Sequence, residues 1–95
     1  MRTRLANDEV DARLSRLSGW EREGNWIRKE FRFPDFAAAM AFVNRVAQVA
    51  EEIDHHPDID IRFDRVRLLT STHSAGGLTG MDFELAGRID AAANG

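Results

Sequence analysis

Cysteine is absent from the 95 residues, which excludes a disulfide framework, a thiolate metal site and a thiol nucleophile. No run is long and apolar enough to span a bilayer, and the opening Met1–Glu9 lacks the apolar core of a secretory signal. An excess of base is also missing: 13 Lys and Arg stand against 16 Asp and Glu, a formal charge of -3, whereas a binder of the phosphate backbone needs a basic face. No direct nucleic-acid binding and no membrane association are therefore expected, and a soluble cytoplasmic protein is. Histidine is scarce but concentrated. All three fall between residues 55 and 73, in Glu51-Glu52-Ile53-Asp54-His55-His56-Pro57 and Ser71-Thr72-His73.

Along the chain the apolar period alternates between helix and strand. Asn7 or Asp8 is placed to cap a helix with Val10, Leu14 and Leu17 at helical spacing and Gly19 past its end. Glu23-Gly24-Asn25 is a turn signal between a short strand after Trp20 and a longer one, in which Ile27, Phe31 and Phe33 share one parity and Arg28, Glu30 and Arg32 the other. Pro34-Asp35 breaks that strand, and Asp35 caps a second helix expected to bury Phe36, Met40, Val43, Ala47, Ala50 and Ile53. Pro57 bounds this helix, because its ring pushes His56 towards extended backbone.

From Ile59 the period is two, and a turn at Asp64-Arg65 would set Phe63 opposite Val66, Ile61 opposite Leu68 and Ile59 opposite Thr70. The return strand is expected to reach His73, and a loop over residues 74–77 follows. Thr79, with Asp82 at the third helical position, then opens a last helix carrying Phe83, Leu85, Ala86 and Ile89. Residues 91–95 read as a fraying tail. The order αββαββα describes a single α+β domain over residues 1–95, a four-stranded antiparallel sheet with three helices packed on one face. Such a sheet leaves an apolar face or edge to hide, so a homo-oligomer is expected.

Imidazole titrates near neutrality, so histidines facing one pocket can give a proton to one atom and take one from another. Glu51, Asp54 and Asp82 are carboxylates able to orient them, Glu51 one helical turn before His55. Asp82 also suits a helix start, and its role can be double. A metal site is disfavoured because adjacent residues in extended chain point to opposite sides, which separates His55 from His56, and the i, i+4 helical pair is missing. A nucleophilic triad of Ser71 or Ser74 with His73 and Asp82 lacks any nucleophile-elbow context. A surface or hydrogen-bonded structural histidine remains the plain alternative. Trp20, Trp26, Phe31 and Phe33 read as core or interface rather than a ligand platform.

The pattern Glu51-x-x-x-His55-His56-Pro57, then Phe63, His73 and Asp82, resembles the signature of the pterin-4a-carbinolamine dehydratases in residue type and spacing. The likeness extends from Gly19-Trp20 through Phe31-Arg32-Phe33-Pro34-Asp35-Phe36 to Val66 and Gly77-Leu78-Thr79, nearly the whole chain. It implies loss of water from 4a-hydroxytetrahydropterin to give quinonoid dihydropterin, with the pterin as substrate and no metal or redox cofactor. By the same resemblance His55 and His73 correspond to general acids serving opposite faces of the pterin, and His56 to a substrate-binding residue with some base character. Asp82 would support this set, while Glu51, Pro57, Ser71 and Thr72 would shape the pterin's seat. The chain differs from animal members at Ile59, commonly aromatic, and at Ser74, commonly an acid; neither is a proposed proton carrier. The family forms homodimers and homotetramers. Some members act as dimerisation cofactors of a homeodomain transcription factor or as assembly factors for a carboxylating enzyme.

Overall fold

The computed structural model describes residues 2–94; Met1 of the opening run and Gly95 of the tail lie outside them. The elements are α1 (Asn7–Leu14), β1 (Glu21–Glu23), β2 (Trp26–Arg32), α2 (Phe36–Ile53), β3 (Asp58–Arg62), β4 (Arg65–Thr70) and α3 (Gly80–Ala93), with a 3-10 turn at His73–Ala75. All strand pairs are antiparallel in the order β1-β2-β4-β3. This is the expected α+β arrangement. Strand alternation explains its two faces: Ile27, Val66, Leu68 and Thr70 are buried, whereas Glu30, Arg32, Arg65 and Arg67 project from the opposite side. Val10 of α1, Ala39, Phe42 and Val46 of α2, and Leu85, Ala86 and Ile89 of α3 close one core with the buried sheet residues.

Several local expectations change. Asp35 does cap α2, accepting from the Ala38 N–H at 2.8 Å. The helix, however, buries Ala39, Phe42, Val46 and Ala50, and Phe36 is 48% exposed. Both apolar stripes have helical spacing; the one bearing Phe42 faces the sheet, where it meets Phe31 and Phe33 at ring-centroid distances of 4.8 and 4.9 Å. Helix α1 starts after Ala6 and has no side-chain cap, so Asn7 and Asp8 lie inside its first turn.

The β3–β4 hairpin turns at Phe63-Asp64, not Asp64-Arg65. Ile61 therefore lies opposite Val66 and Ile59 opposite Leu68, a slip of two residues that preserves the strand parity but moves Phe63 from the expected core side into the turn, and Ile59 and Ile61 are exposed rather than buried. Two contacts hold this turn to the end of β2: the Phe33 N–H donates to the Asp64 carbonyl at 2.9 Å, and Arg32 Nε reaches the Asp64 carboxylate at 3.4 Å. Phe63 adopts a φ of 54° and is 69% exposed. Strand β4 stops at Thr70 rather than reaching His73. At the other end α3 continues through Ala93, since alanine is the best helix former and Arg45 Nε donates to the Ala92 carbonyl at 3.0 Å.

Candidate functional site

Two chain reversals set out the histidines. Helix α2 stops at Asp54, which takes left-handed backbone (φ 52°, ψ 48°) while the His55 N–H returns to the Ala50 carbonyl at 3.0 Å, a Schellman-type stop that aspartate tolerates. His55 leaves this stop turned inward, 6% exposed, and His56 outward. The second reversal lies between Thr72 and Gly77, whose backbones exchange hydrogen bonds at 3.1 and 3.3 Å; the intervening 3-10 turn ends at Gly76 with a φ of 72°. His73 is the first residue of that turn and is exposed.

Asp82 is the centre of the buried network and has no solvent exposure (0%). Its Oδ1 accepts from His55 Nε2 and Thr70 Oγ1, each at 2.7 Å. Its Oδ2 accepts from Thr72 Oγ1 at 2.8 Å and from the Thr79 N–H at 2.9 Å. A buried carboxylate needs this many donors. Thr72 spends its single hydroxyl hydrogen on Asp82, so in the 2.9 Å contact between Thr72 and Thr79 the donor is Thr79, whose oxygen in turn accepts from the Met81 N–H at 3.2 Å. The capping box of α3 and the anchor of His55 are thus one structure, and Asp82 has both roles foreseen for it.

With Nε2 donating to Asp82, the other ring nitrogen of His55 is an acceptor. Arg2 fills it: Nη1 stands 3.2 Å from His55 Nδ1, and Nη2 donates to the Asp54 carbonyl at 2.7 Å. Arginine has no acceptor, so both contacts fix His55 in the tautomer protonated at Nε2.

The remaining candidates sit around this centre without joining it by hydrogen bonds. Glu51 accepts from His56 Nε2, not from His55 as the one-turn spacing suggests, because the left-handed Asp54 turns His55 into the core. The His73 ring meets Trp26 edge-on, with centroids 5.3 Å apart, so this tryptophan belongs to the site's surroundings as well as to the sheet. Ser71 donates to the Asn25 carbonyl at 2.6 Å and ties the end of β4 to the β1–β2 turn. Pro57 is half-buried at the entry to β3. Among the described residues no three His, Asp or Glu side chains converge as metal ligands. Sequence reasoning missed Thr70 and Arg2. A threonine at the core parity of β4, after Val66 and Leu68, was a readable sign of a buried polar partner; nothing local marks Arg2, which meets a residue 53 positions away.

Two surface concavities, about 190 Å³ on the open sheet face around Arg65 and about 410 Å³ between α1 and the start of α3, are not lined by histidine. Of the three histidines, His55 is buried and His56 and His73 are exposed. One imidazole is held by a buried carboxylate and two others are open to a ligand.

Comparison with known proteins points one way. The family model described as "Pterin 4 alpha carbinolamine dehydratase" matches residues 3–92. A Roseiflexus sp. (strain RS-1) protein named "Putative pterin-4-alpha-carbinolamine dehydratase" is 56% identical over 90 residues, 95% of this chain and 97% of that protein. A Mycolicibacterium smegmatis protein of the same name is 49% identical over 90% of this chain and 92% of its own length. Among solved structures, a "transcriptional coactivator/pterin dehydratase" from Brucella Melitensis superposes with a TM-score of 0.92 at 34% identity, covering 96% of this chain and 99% of that one. A pterin dehydratase-like protein described as a RuBisCO assembly factor in the alpha-carboxysome matches with a TM-score of 0.64 at 25% identity, over 78% of this chain and 86% of that one.

Proposed function

Because this chain belongs to the pterin 4 alpha carbinolamine dehydratase family, we propose that it is a cytoplasmic hydro-lyase converting 4a-hydroxytetrahydropterin to quinonoid dihydropterin, and so recycling a tetrahydropterin cofactor. The observation that carries the reading is the 2.7 Å hydrogen bond from His55 to the buried Asp82. A carboxylate that fixes one nitrogen of an imidazole orients the ring, so that the other nitrogen, on the Arg2 side, is the one turned to a substrate.

Dehydration has two proton requirements. The departing 4a-hydroxyl must gain a proton and the ring nitrogen that expels it must lose one. His55 and His73 act as the acids, one on each face of the pterin, and His56, backed by Glu51, holds the ring and accepts its proton. Thr72 and Asp82 fix His55, while Pro57, at the entry to β3, and Ser71, tied to the Asn25 carbonyl, shape the pterin's seat beside the histidines. The chemistry calls for no metal or redox cofactor, the pterin being the substrate. Supplying synthetic 4a-hydroxytetrahydropterin and following the absorbance of the quinonoid product tests the reading; a rate equal to the buffer background would sink it.

A second reading, binding of another protein chain, is favoured by one observation. Edge strand β3 and its turn present Ile59, Ile61 and Phe63 at 38%, 36% and 69% exposure, with Phe36 of α2 also open at 48%. We propose that this apolar edge serves first for self-association into a homodimer or homotetramer. The coactivator and assembly-factor descriptions of the two structural relatives make a foreign partner the alternative occupant.

A further inference from the structure

Resting on the pterin reading of the site, we infer that the segment Arg2–Leu5 is a latch on His55, which a pterin must displace to use that histidine. Both ring nitrogens of His55 are taken: Nε2 by Asp82 at 2.7 Å and Nδ1 by Arg2 at 3.2 Å. His55 is 6% exposed. The Asp82 side is sealed by Thr70, Thr72 and Thr79, so only the Arg2 side can open.

The segment is seated without being locked. The Leu5 N–H donates to the Leu78 carbonyl at 2.8 Å. Arg4 crosses Gly77 so closely that a Cβ there would stand 3.0 Å from its Nε. Arg2 is exposed, and its second hydrogen bond is to a single carbonyl, that of Asp54, at 2.7 Å. Release of Arg2 thus breaks two hydrogen bonds and uncovers no buried residue of its own, while Leu5 can keep the segment nearby.

The contact also determines what His55 can do. A guanidinium has only donors, so while Arg2 is docked Nδ1 is a lone-pair acceptor and has no proton to deliver. The two charged groups meeting the ring are Asp82 from α3 and Arg2 from the opening segment. A proton on Nδ1 and the docked guanidinium claim the same site and exclude one another. His55 can therefore give a proton to the leaving hydroxyl only in the released state, which keeps this acid out of use until a ligand takes Arg2's place.

The test compares the full chain with Arg2→Ala and Arg2→Lys. With 15N-labelled imidazole, the Nδ1 resonance of His55 should lose its hydrogen-bond displacement in Arg2→Ala at fixed pH and recover part of it in Arg2→Lys. An unchanged resonance in both overturns the latch, whatever the protein's function. Titration with tetrahydropterin should then give binding about three- to tenfold tighter in Arg2→Ala, the scale of one or two net hydrogen bonds. Equal or weaker binding overturns the displacement and makes Arg2 either a bystander or a ligand to the pterin. If neither protein binds the pterin while the resonance moves as stated, the contact stands and the pterin reading, with displacement by pterin, fails.

Discussion

Asp82 and His55 are joined by a 2.7 Å hydrogen bond with 0% and 6% of the two residues exposed, although one begins α3 and the other follows α2. The bond lets a carboxylate without solvent set the orientation of a nearly buried imidazole.

Asp82→Asn should therefore damage stability and rate together. The amide keeps the shape but puts an NH2 group where one oxygen accepts two donors. A buried unsatisfied donor costs about 1–3 kcal/mol, readable as a lower urea midpoint, and the dehydration rate should fall by about 100-fold or more.

Thr70→Val separates the network from the histidines. Valine fills the same space and removes only the hydroxyl that donates to Asp82. The expected loss is about 1 kcal/mol in urea unfolding. A loss near zero would mean that Thr70 does not support the carboxylate.

His73→Ala should behave in the opposite way. His73 is exposed and its ring neighbour is Trp26, so the melting temperature should move by less than about 4 °C. The proposed acid role requires the rate with 4a-hydroxytetrahydropterin to drop by about 100- to 10,000-fold. A variant with the parental rate would remove His73 from the mechanism.

Phe63→Gly probes the hairpin. A φ of 54° at a residue 69% exposed holds a phenylalanine in backbone that costs L-residues roughly 1–2 kcal/mol, against the extra chain entropy that glycine loses on folding. Net stabilisation of about 0.5–1 kcal/mol should appear as a higher melting temperature at concentrations where the chain is monomeric. Destabilisation there would show that the ring contributes more within the chain than its exposure suggests.

Ile61→Lys addresses the β3 edge, where Ile61 is 36% exposed beside Ile59. Charge at an edge strand opposes strand pairing, so sedimentation velocity should show a smaller species than the parent. A clean monomer for the parent at micromolar concentration would contradict self-association itself.

What was legible in the sequence follows physical locality. Asp35 and the Thr79–Asp82 pair sit within four residues of the N–H groups they satisfy, and the strand periods rest on side-chain alternation alone, so caps and element order could be read directly. The inner face of α2 could not, because Phe36-Met40-Val43 and Ala39-Phe42-Val46 are both apolar at helical spacing and only the sheet selects between them. The turn at Phe63 was hidden because phenylalanine signals strand, while its position is fixed by the contacts of Asp64 with β2. In the site, residue types gave the histidines and Asp82. Their partners came from folding: His55 with Arg2, and His56 rather than His55 with Glu51.

The sharing of Asp82 between a helix cap and a histidine bears on how chains of this fold diverge. A descendant that abandoned dehydration would still need a carboxylate there to close the first turn of α3 and to occupy Thr70, Thr72 and Thr79. It would be free to drift at His56 and His73, which close no buried bond. Under the proposed mechanism a lapsed enzyme would therefore vary first at the exposed pair of imidazoles, whereas Asp82 would be kept by the scaffold as well as by its bond to His55.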